Sequence, residues 1–515
     1  MKQNINRRSF LKNTALAGAA LSLPARVRAA AEGSNSDIRI AVVGFHGRGQ
    51  SHISAYSNMK GVRLVALCDV DSSVLEKGVK QLQQKNIEAK PFRDIRKLLD
   101  SGEVDAISIA TPNHWHSLAA IWGIQAGKDV YVEKPVSHNV WEGRQLVKAT
   151  DKYQRIVQMG VQSRSAKGLA DVIGWMKTEP LGKLQYVRGL CYKRRASIGL
   201  VSGDQQVPDT IDYDLWSGPA PLVPPHRNDP KYGIIHYDWH WIWNYGNGDL
   251  GNQGIHQMDI ARRFTGEAAL SPKIISVGGR LGYKDDGETP NSMFLVHDYE
   301  KAPLIFEVRG LPQKKGVEIM DKYRGASVGV VAQYEHGYVV APDYSNAAVY
   351  DNDDKLVRKY GNPPGLKDVV ESNPIPESEK ANKGDGKFSD KEESHFANFI
   401  SCVRSRKSAD LNAKIIDGHI SSGLCHTANI SYRLGKTATP DELREKFKGN
   451  KEALDSLERL ATHLKANDVD INVDKLTLGE FLKMDPTTER FIDNPAADKM
   501  LTREYRAPYV VPEKV

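Results

Sequence analysis

Two short motifs, one around Lys134 and one around His256, carry the side chains best suited to chemistry in this sequence. The first is Glu133-Lys134-Pro135, which ends a short apolar run that begins after Gly127 and is typical of an interior strand. Ligands bind at the carboxyl ends of strands in open parallel sheets. Because proline restricts the preceding residue to extended conformations, we expect the Lys134 side chain to point in a fixed direction at such a site. The alternative is a strand that ends in a surface loop with an ion pair.

The second motif follows a glycine-rich stretch at residues 246–254 and places three polar side chains on one helical face. Asn252, His256 and Asp259 are spaced by four and three residues, the spacing of neighbours on one side of an α-helix. A histidine with its ordinary pKa changes protonation near neutral pH, which suits proton transfer. A buried, hydrogen-bonded histidine on an apolar helix face is the alternative.

A glycine turn after the first apolar strand is the predicted binding site for a dinucleotide. The run Ile38–Val43 leads into Gly44-Phe45-His46-Gly47-Arg48-Gly49, and a helical pattern begins near Ser51. Such a turn presents backbone amides at a helix N-terminus to a pyrophosphate. His46 stands where the usual fingerprint has its second glycine, with Gly47 one place later, so the turn is either crowded or shifted.

The second strand supplies a carboxylate for the other end of the nucleotide. Val62–Cys68 ends at Asp69, 25 residues after Gly44, which is close to the spacing of the residue that binds the adenosine ribose. No arginine follows Asp69 immediately, so the sequence favours NAD over NADP.

A third strand at residues 106–110 ends in Thr111-Pro112-Asn113-His114-Trp115-His116, and the strand of Lys134 follows after another helix. Alternating strands and helices predict a doubly wound parallel sheet over residues 36–160, with these loops on one edge. The loops at this edge predict the cofactor contacts Gly44, His46, Gly47, Arg48, Gly49, Asp69, Thr111, Pro112, Asn113, His116, Glu133 and Lys134.

Taken in order, these motifs resemble the Gfo/Idh/MocA family of oxidoreductases, named for glucose-fructose oxidoreductase and inositol dehydrogenase. The resemblance rests on the glycine turn, Asp69, the loop at 111–116, Glu133-Lys134-Pro135 and the motif of His256. It implies a Rossmann-type, NAD-binding doubly wound sheet followed by an α/β domain with a large, mostly antiparallel sheet. It also implies hydride transfer between a nicotinamide and a carbinol.

The resemblance extends to the roles of three side chains. The segment around His256 resembles the pattern Asp-x-Gly-x-His of family members. In that pattern the aspartate and histidine join the motif lysine around the reacting carbinol. Here Asn252 occupies the aspartate position. Asparagine orients a hydroxyl but accepts no proton, so His256 is expected to act as general base near its ordinary pKa, alone or with Lys134. The Lys134 ammonium is expected to stabilise the alkoxide.

Residues 161–435 are predicted to form the second domain and to bind the substrate. Residues 236–245 combine five aromatic rings with hydrogen-bonding groups, which suits a sugar, although such clusters are also common in cores. A long surface loop is predicted at 363–387. Beyond the domain, an extension over 436–515 is predicted to hold one charged helix at 442–466 and an extended end. The predicted substrate contacts are Gln162, Arg164, Tyr192, Trp243 and Asp259.

The first 31 residues have the pattern of an export signal. Arg7 and Arg8 precede Ser9-Phe10-Leu11-Lys12, and an apolar run and small residues follow, as in twin-arginine signal peptides. A basic amphipathic helix is the alternative. The pattern predicts a periplasmic protein that leaves the cytoplasm already folded, with its cofactor bound.

Charge and composition narrow the classes of function. Six positive charges of the formal +7 lie in the first 31 residues and leave +1 for the rest, so no nucleic-acid partner is predicted. The four cysteines match no metal-ligand spacing, no metal is predicted, and no stretch is apolar enough to span a membrane. By family analogy we expect a homo-oligomer, a dimer or tetramer.

The leading prediction is therefore a periplasmic NAD-dependent oxidoreductase that acts on a sugar or polyol and keeps its cofactor. Two alternatives remain open. One is an NAD-dependent enzyme that cleaves glycosides through transient sugar oxidation, and the other is a non-catalytic carbohydrate-binding protein.

Overall fold

The computed structural model describes residues 37–227, 233–361 and 388–515. The export signal predicted at residues 1–31 and the surface loop predicted at 363–387 lie outside these residues.

A six-stranded parallel sheet forms the first domain, as the alternation of strands and helices predicts. Its strands are β1 Ile38–Val43, β2 Val62–Cys68, β3 Lys90–Phe92, β4 Ala106–Ile109, β5 Asp129–Glu133 and β6 Val157–Gly160. Their spatial order is β3-β2-β1-β4-β5-β6, and each pair is parallel. The connecting helices are α1 Gly49–Asn58, α2 Ser72–Gln83, α3 Ile95–Asp100, α4 Asn113–Gln125 and α5 Val140–Tyr153. The strand order reverses between β1 and β4, which opens a crevice at the carboxyl ends of the strands.

A large, mostly antiparallel sheet forms the second domain. Its strands are β7 Leu184–Tyr192, β8 Lys273–Gly279, β9 Ser292–His297, β10 Leu304–Arg309, β11 Val328–Tyr334, β12 Gly337–Ala341, β13 Ala347–Tyr350, β14 Leu356–Tyr360, β15 Lys436–Ala438, β16 Leu476–Leu478, β17 Leu482–Asp485 and β18 Arg490–Phe491. The order is β14-β13-β12-β11-β7-β10-β9-β8-β16-β15, with β17 beside β8 and β18 beside β17. β7 and β10 are parallel, and their other described neighbours are antiparallel to them.

The helices of this half are α6 Lys167–Met176, α7 Tyr213–Ser217, α8 Gly248–Asn252, α9 Gly254–Thr265, α10 Phe388–Ser405, α11 Ile415–Arg433, α12 Pro440–Phe447, α13 Lys451–Lys465 and α14 Pro495–Lys499. Short 3₁₀ turns lie at Gln162–Ser165, Asp238–Trp241 and Ser408–Asp410. α9 and α11 cover one face of the large sheet, where Met258 and Leu424 join Phe306 in a continuous apolar core. This packing holds α8 and α9 at the crevice of the first domain.

The C-terminal extension is part of the second domain. β15 and β16 extend the large sheet, and α13 covers its outer face by packing Leu457 and Leu460 with Phe294 and Ile305. The single helix predicted at 442–466 is wrong, because the chain forms α12 and α13 with a break at residues 448–450. Asn450 caps α13 by accepting a hydrogen bond from the Ala453 amide at 3.0 Å, which favours a new helix start over a continuous helix.

Helix α10 lies within the predicted second domain in sequence but packs on the first domain. Phe396 and Phe399 join the core that contains Tyr56 and Tyr131 beneath the parallel sheet. The rings of Phe396 and Tyr131 lie 4.8 Å apart. The first domain therefore takes one of its covering helices from after residue 361.

The extended end of the chain returns to the first domain. The Tyr509 ring packs on Trp115 and Trp122 of α4, with centroid distances of 5.5 and 6.4 Å, and its hydroxyl donates to Asp214 at 2.8 Å. The four cysteines are buried and unpaired. Within the three described ranges, no helix is long and apolar enough to cross a membrane.

Candidate active site

A cleft of about 600 Å³ lies where the carboxyl ends of the parallel strands face the second domain. The loops after β1, β2, β4 and β5 line one side of it. The other side comes from the segment after β7, the aromatic segment at 235–240, helices α8 and α9, and Tyr344. The predicted crevice is therefore closed on one side by the domain that was expected to bind substrate.

The glycine turn has the shape that a bound pyrophosphate requires. Gly44 has a φ of +75°, and a Cβ there would lie 2.8 Å from the Thr111 backbone. A Cβ on Gly49 would lie 2.2 Å from the Gly44 carbonyl oxygen, so Gly49 allows close packing of α1 on β1 and does not itself line the cleft. Gly47 borders open space, and no side chain caps the N-terminus of α1. The turn therefore fits a pyrophosphate on the first amides of α1.

His46 lines the cleft and makes a contact that the sequence did not predict. Its ring stacks on His236 at 3.9 Å, and the His236 Nε2 lies 3.2 Å from an Asp71 carboxylate oxygen. Burial, and then the neighbouring His236, lower the pKa of His46. His46 thus contacts the second domain across one end of the cleft.

Asp69 lies at the carboxyl end of β2 on the cleft wall, where a ribose-binding carboxylate is expected. Its carboxylate accepts hydrogen bonds from the Phe45 and Asp71 amides at 3.0 and 3.1 Å, and burial raises its pKa to about 6. Arg93 also lines this end, but its guanidinium donates to the carbonyl oxygens of Val70 and Thr210. No arginine follows Asp69 directly, as the sequence analysis noted, and Arg93 comes from the loop after β3.

The loop after β4 joins the two halves of the cleft. Thr111, Pro112, Asn113 and His116 all line it. The Asn113 side chain donates to the Asn247 side-chain oxygen at 3.0 Å. The two ring nitrogens of His116 lie 2.7 Å from the Thr111 carbonyl oxygen and 2.5 Å from that of Pro135. His116 therefore supports the loop that carries Lys134.

Glu133 and Arg48 neutralise each other at the floor of the cleft. The Glu133 Oε1 atom accepts a hydrogen bond from Arg48 Nε at 3.0 Å and lies 3.1 Å from His52 Nε2. Although burial opposes it, the Arg48 charge and the His52 contact hold the pKa of Glu133 well below its usual range. Glu133 is therefore an anion that positions Arg48 beneath the glycine turn.

Lys134 and Asn252 meet directly. The Lys134 ammonium donates to the backbone oxygen of Asn252 at 2.9 Å and to its side-chain oxygen at 3.0 Å. The Lys134–Pro135 peptide bond is cis. Burial lowers the pKa of Lys134 to about 8. The lysine is therefore mostly charged at neutral pH and lies close to the point of deprotonation.

His256 lines the cleft beside this pair, and its ring lies 4.8 Å from that of Tyr344. Burial, and then the charge of Lys134, lower its pKa to about 3. The expectation of an ordinary histidine pKa is therefore wrong. The single helical face is also interrupted, because α8 ends at Asn252 and α9 begins at Gly254. Both side chains nevertheless reach the cleft.

Four of the five predicted substrate contacts lie elsewhere, and only Gln162 lines the cleft. Arg164 and Asp259 form a buried ion pair with distances of 2.8 to 3.1 Å. The Tyr192 hydroxyl donates to Glu307 under the outer face of the large sheet, because alternate residues of β7 point to opposite faces. Trp243 packs under Arg433 at 5.0 Å. These four side chains stabilise the second domain.

The cleft contains three residues that the sequence analysis missed, Lys193, Gln253 and Tyr344, whereas Trp239 and His240 come from the aromatic stretch at 236–245 that was expected to suit a sugar. Lys193 directly follows the end of β7 in the mostly antiparallel sheet, to which the rule for parallel strand ends does not apply. Tyr344 lies in a loop between two strands and gave no local signal. Among the described residues, no group of His, Cys, Asp or Glu side chains is arranged to hold a metal ion.

Comparisons with known proteins agree with this architecture. Residues 38–161 match the family described as "Oxidoreductase family, NAD-binding Rossmann fold", and residues 170–295 match "Oxidoreductase family, C-terminal alpha/beta domain". The WlbA dehydrogenase from Bordetella pertussis, solved in complex with NADH and UDP-GlcNAcA, has a TM-score of 0.52 and 18% identity. That likeness covers 75% of this chain and 94% of the WlbA chain, and it shows the fold.

Two curated relatives from Shewanella match a smaller part. "Glycosyl hydrolase family 109 protein 1" of Shewanella sp. (strain ANA-3) is 32% identical over 128 residues, which are 24% of this chain and 28% of the relative. The "Alpha-N-acetylgalactosaminidase" of Shewanella oneidensis is 28% identical over 179 residues, which are 30% of this chain and 39% of the relative. The chain therefore spans well under half the length of these relatives. The two consecutive domain matches, on the fold and cleft described above, make the chain similar over residues 38–161 and 170–295 to the Gfo/Idh/MocA oxidoreductases, with an NAD-binding first domain.

Proposed function

We propose that this protein transfers hydride between a carbinol of a sugar or polyol and a tightly held NAD. The observation that carries the proposal is the meeting of Lys134, Asn252 and His256 at the cleft into which the NAD-binding loops open. The names of the relatives and the UDP-GlcNAcA bound to the WlbA dehydrogenase favour a carbohydrate. Trp239, stacked on His240 at 3.7 Å, gives the cleft an aromatic surface suited to a sugar ring.

Lys134 is placed to bind the hydroxyl oxygen that becomes the carbonyl oxygen. An ammonium has three N–H donors. Two of them are used by the two oxygen atoms of Asn252, and the third is left for the substrate. The positive charge then lowers the energy of the developing alkoxide in a site shielded from water. NAD, when bound, supplies the hydride acceptor.

His256 is the proposed proton acceptor. Its Nδ1 atom is buried without a hydrogen-bond partner, so Nε2 is the nitrogen available to a bound hydroxyl. A pKa of about 3 makes the resting imidazole neutral and a weak base. A weak base suffices, because the hydroxyl becomes strongly acidic as the neighbouring carbon–hydrogen bond breaks.

Contacts across the cleft support a cofactor that does not exchange. The segment between β7 and α8 reaches the first domain, where the Thr210 carbonyl accepts from the Ser72 amide at 2.9 Å. The Leu215 carbonyl accepts from the Trp115 indole at 2.9 Å. A dinucleotide in the cleft would lie beneath this segment, and its release would require these contacts to break.

The first test is the cofactor content of protein purified without added nucleotide. We expect about one NAD(H) per chain after denaturation, and reduction of that NAD by at least one sugar in a panel. If the protein carries NAD but no sugar reduces it and no glycoside is cleaved, the result would favour the carbohydrate-binding alternative. Protein that neither carries nor binds NAD would contradict the proposal at its first step.

A second candidate is cleavage of a glycoside by transient oxidation of the sugar. The similarity to proteins named as glycosyl hydrolases favours it. The two reactions differ in their net redox change. Release of a chromogenic leaving group from an aryl glycoside, without accumulation of NADH, would identify the cleaving enzyme. Accumulation of NADH with an oxidised sugar would identify the dehydrogenase.

We also propose that the protein is exported to the periplasm by the twin-arginine route, on the basis of Arg7 and Arg8 within the signal pattern. Cell fractionation tests this proposal. Replacement of both arginines by lysine should retain the protein in the cytoplasm, whereas unchanged export would contradict the proposal.

A further inference from the structure

The two sides of the cleft differ in charge. Among the described residues that line it, the carboxylates are Asp69, Asp71, Asp94 and Glu133, all from the first domain. The second domain contributes cationic and neutral side chains to the lining and no carboxylate. The side on which the substrate would rest is therefore electropositive.

Two ammonium groups that line the cleft, one from each domain, are held by amide oxygens. Lys193 donates to the side-chain oxygen of Gln253 at 2.7 Å, and Lys134 donates to the neighbouring residue Asn252. The hydrogen bonds described for these two ammonium groups all go to amide or peptide oxygens. Arg195, two residues after Lys193, differs because its guanidinium pairs with the buried Asp249, with one contact at 3.1 Å.

An amide oxygen satisfies an ammonium hydrogen bond without cancelling its charge. Burial, and then the charge of Arg195, lower the pKa of Lys193. At Lys134, burial lowers the pKa, the Glu133 charge opposes this, and the charges of Arg48, Lys193 and Arg195 add to it. An anion bound to Lys193 would relieve the repulsion among these cations and gain a charge-assisted hydrogen bond. A neutral sugar would gain neither.

We propose that the sugar substrate carries an anionic group, either a carboxylate or a phosphate or sulfate ester, which Lys193 binds while Lys134 binds the carbinol to be oxidised. This inference rests on the proposed function and adds a substrate class to it. Gln253 links the two positions, because it holds Lys193 and also contacts the Tyr344 hydroxyl beside His256.

The test compares charged sugars with their uncharged counterparts on the NAD-loaded protein. Calorimetry measures the affinity for hexuronates and their methyl esters, and for hexose 6-phosphates and 6-sulfates against the parent hexoses. We expect at least one anionic sugar to bind about tenfold or more tightly than its neutral counterpart, the effect of one charge-assisted contact. The esters separate a carboxylate from a phosphate or sulfate requirement.

Variants test whether the Lys193 side chain supplies the positive charge that binds the anionic group. Lys193→Gln should lower the affinity for the anionic sugar about tenfold and leave the NAD content unchanged. Lys193→Arg should retain most of that affinity. Lys301→Gln removes one positive charge from an exposed turn and is the matched control, with no expected change. Equal affinity for charged and neutral sugars, failure of every anionic sugar to bind, or no effect of Lys193→Gln would overturn the inference.

The same experiments separate this inference from the proposed function. Oxidation of a neutral sugar with no preference for an anion would leave the oxidoreductase standing and remove the anionic substrate. Binding of an anionic sugar that depends on Lys193, without reduction of NAD, would support the anion site and contradict the hydride transfer.

Discussion

Replacement of Asn252 by aspartate should move the pH at which Lys134 loses its proton. The substitution preserves shape and places a carboxylate oxygen where an amide oxygen now lies 3.0 Å from the ammonium. The pKa of Lys134 is about 8, because burial disfavours its charge. An opposite charge at this distance raises a lysine pKa by about one to two units. One unit corresponds to about 1.4 kcal/mol of stabilisation of the charged form. We therefore expect a pKa of about 9 to 10 in the variant.

The assay is the rate at which sugar reduces the bound NAD, measured as a function of pH. If the charged form of Lys134 stabilises the alkoxide, the wild-type rate falls as the pH rises through about 8. In the Asn252→Asp variant the falling limb should shift upward by one to two units. An unmoved limb would refute the reasoning. A rate that instead rises through pH 8 would make neutral Lys134 the base and remove that role from His256.

Four further predictions address individual side chains. His256→Ala should lower turnover by at least about a hundredfold while denatured protein still releases NAD, and unaltered turnover would remove His256 from the mechanism. Asp69→Ala should weaken NAD binding by about tenfold and narrow the preference for NAD over NADP in a fluorescence titration, whereas an unchanged preference would argue against ribose binding by Asp69. Arg164→Met should destabilise the fold by about 3 kcal/mol in denaturant unfolding, because Asp259 is left buried without its main partner. Tyr192→Phe should leave the KM for sugar unchanged, and a raised KM for either variant would restore a substrate role.

Four strands of the parallel sheet, β1, β2, β4 and β5, could be predicted because they are continuous apolar runs, whereas β3 and β6 were not predicted. β1 and β2 have the predicted bounds, and Asp69 and Lys134 follow strand ends as expected. The first-domain positions that line the cleft follow from that rule. Lys193 was missed because it follows β7 of the mostly antiparallel sheet, where the end of a strand does not mark a ligand site.

The substrate contacts could not be predicted in the same way because they depend on pairing between distant segments. Arg164 and Asp259 are both polar and close to the motifs, but they satisfy each other in the interior. The pKa of His256 is likewise set by burial and by Lys134, which is far away in sequence. The break at residues 448–450 was missed for a local reason, since Asn450 was not recognised as a helix cap.

The structure limits which surface could form the oligomer that is expected from family analogy. That analogy places the subunit interface on the open face of the large sheet. Here α13 covers the outer face over β9 and β10, and the buried Arg188 contacts Glu307 and Ser456 beneath it. The interface of a dimer or tetramer must therefore lie on the part of this face toward β14 or on another surface. Sedimentation of the mature protein measures the state directly.

Asn252 does not by itself disable the site, because it keeps the geometric role of an aspartate while giving up the negative charge. It accepts two hydrogen bonds from Lys134 and so directs the third N–H toward the cleft. The missing carboxylate leaves Lys134 near its titration point and leaves its charge uncancelled, beside a second lysine held by Gln253. A neutral residue at this position is consistent with a substrate that brings its own negative charge, and the Asn252→Asp variant should then lose affinity for that substrate because its new carboxylate repels the anion.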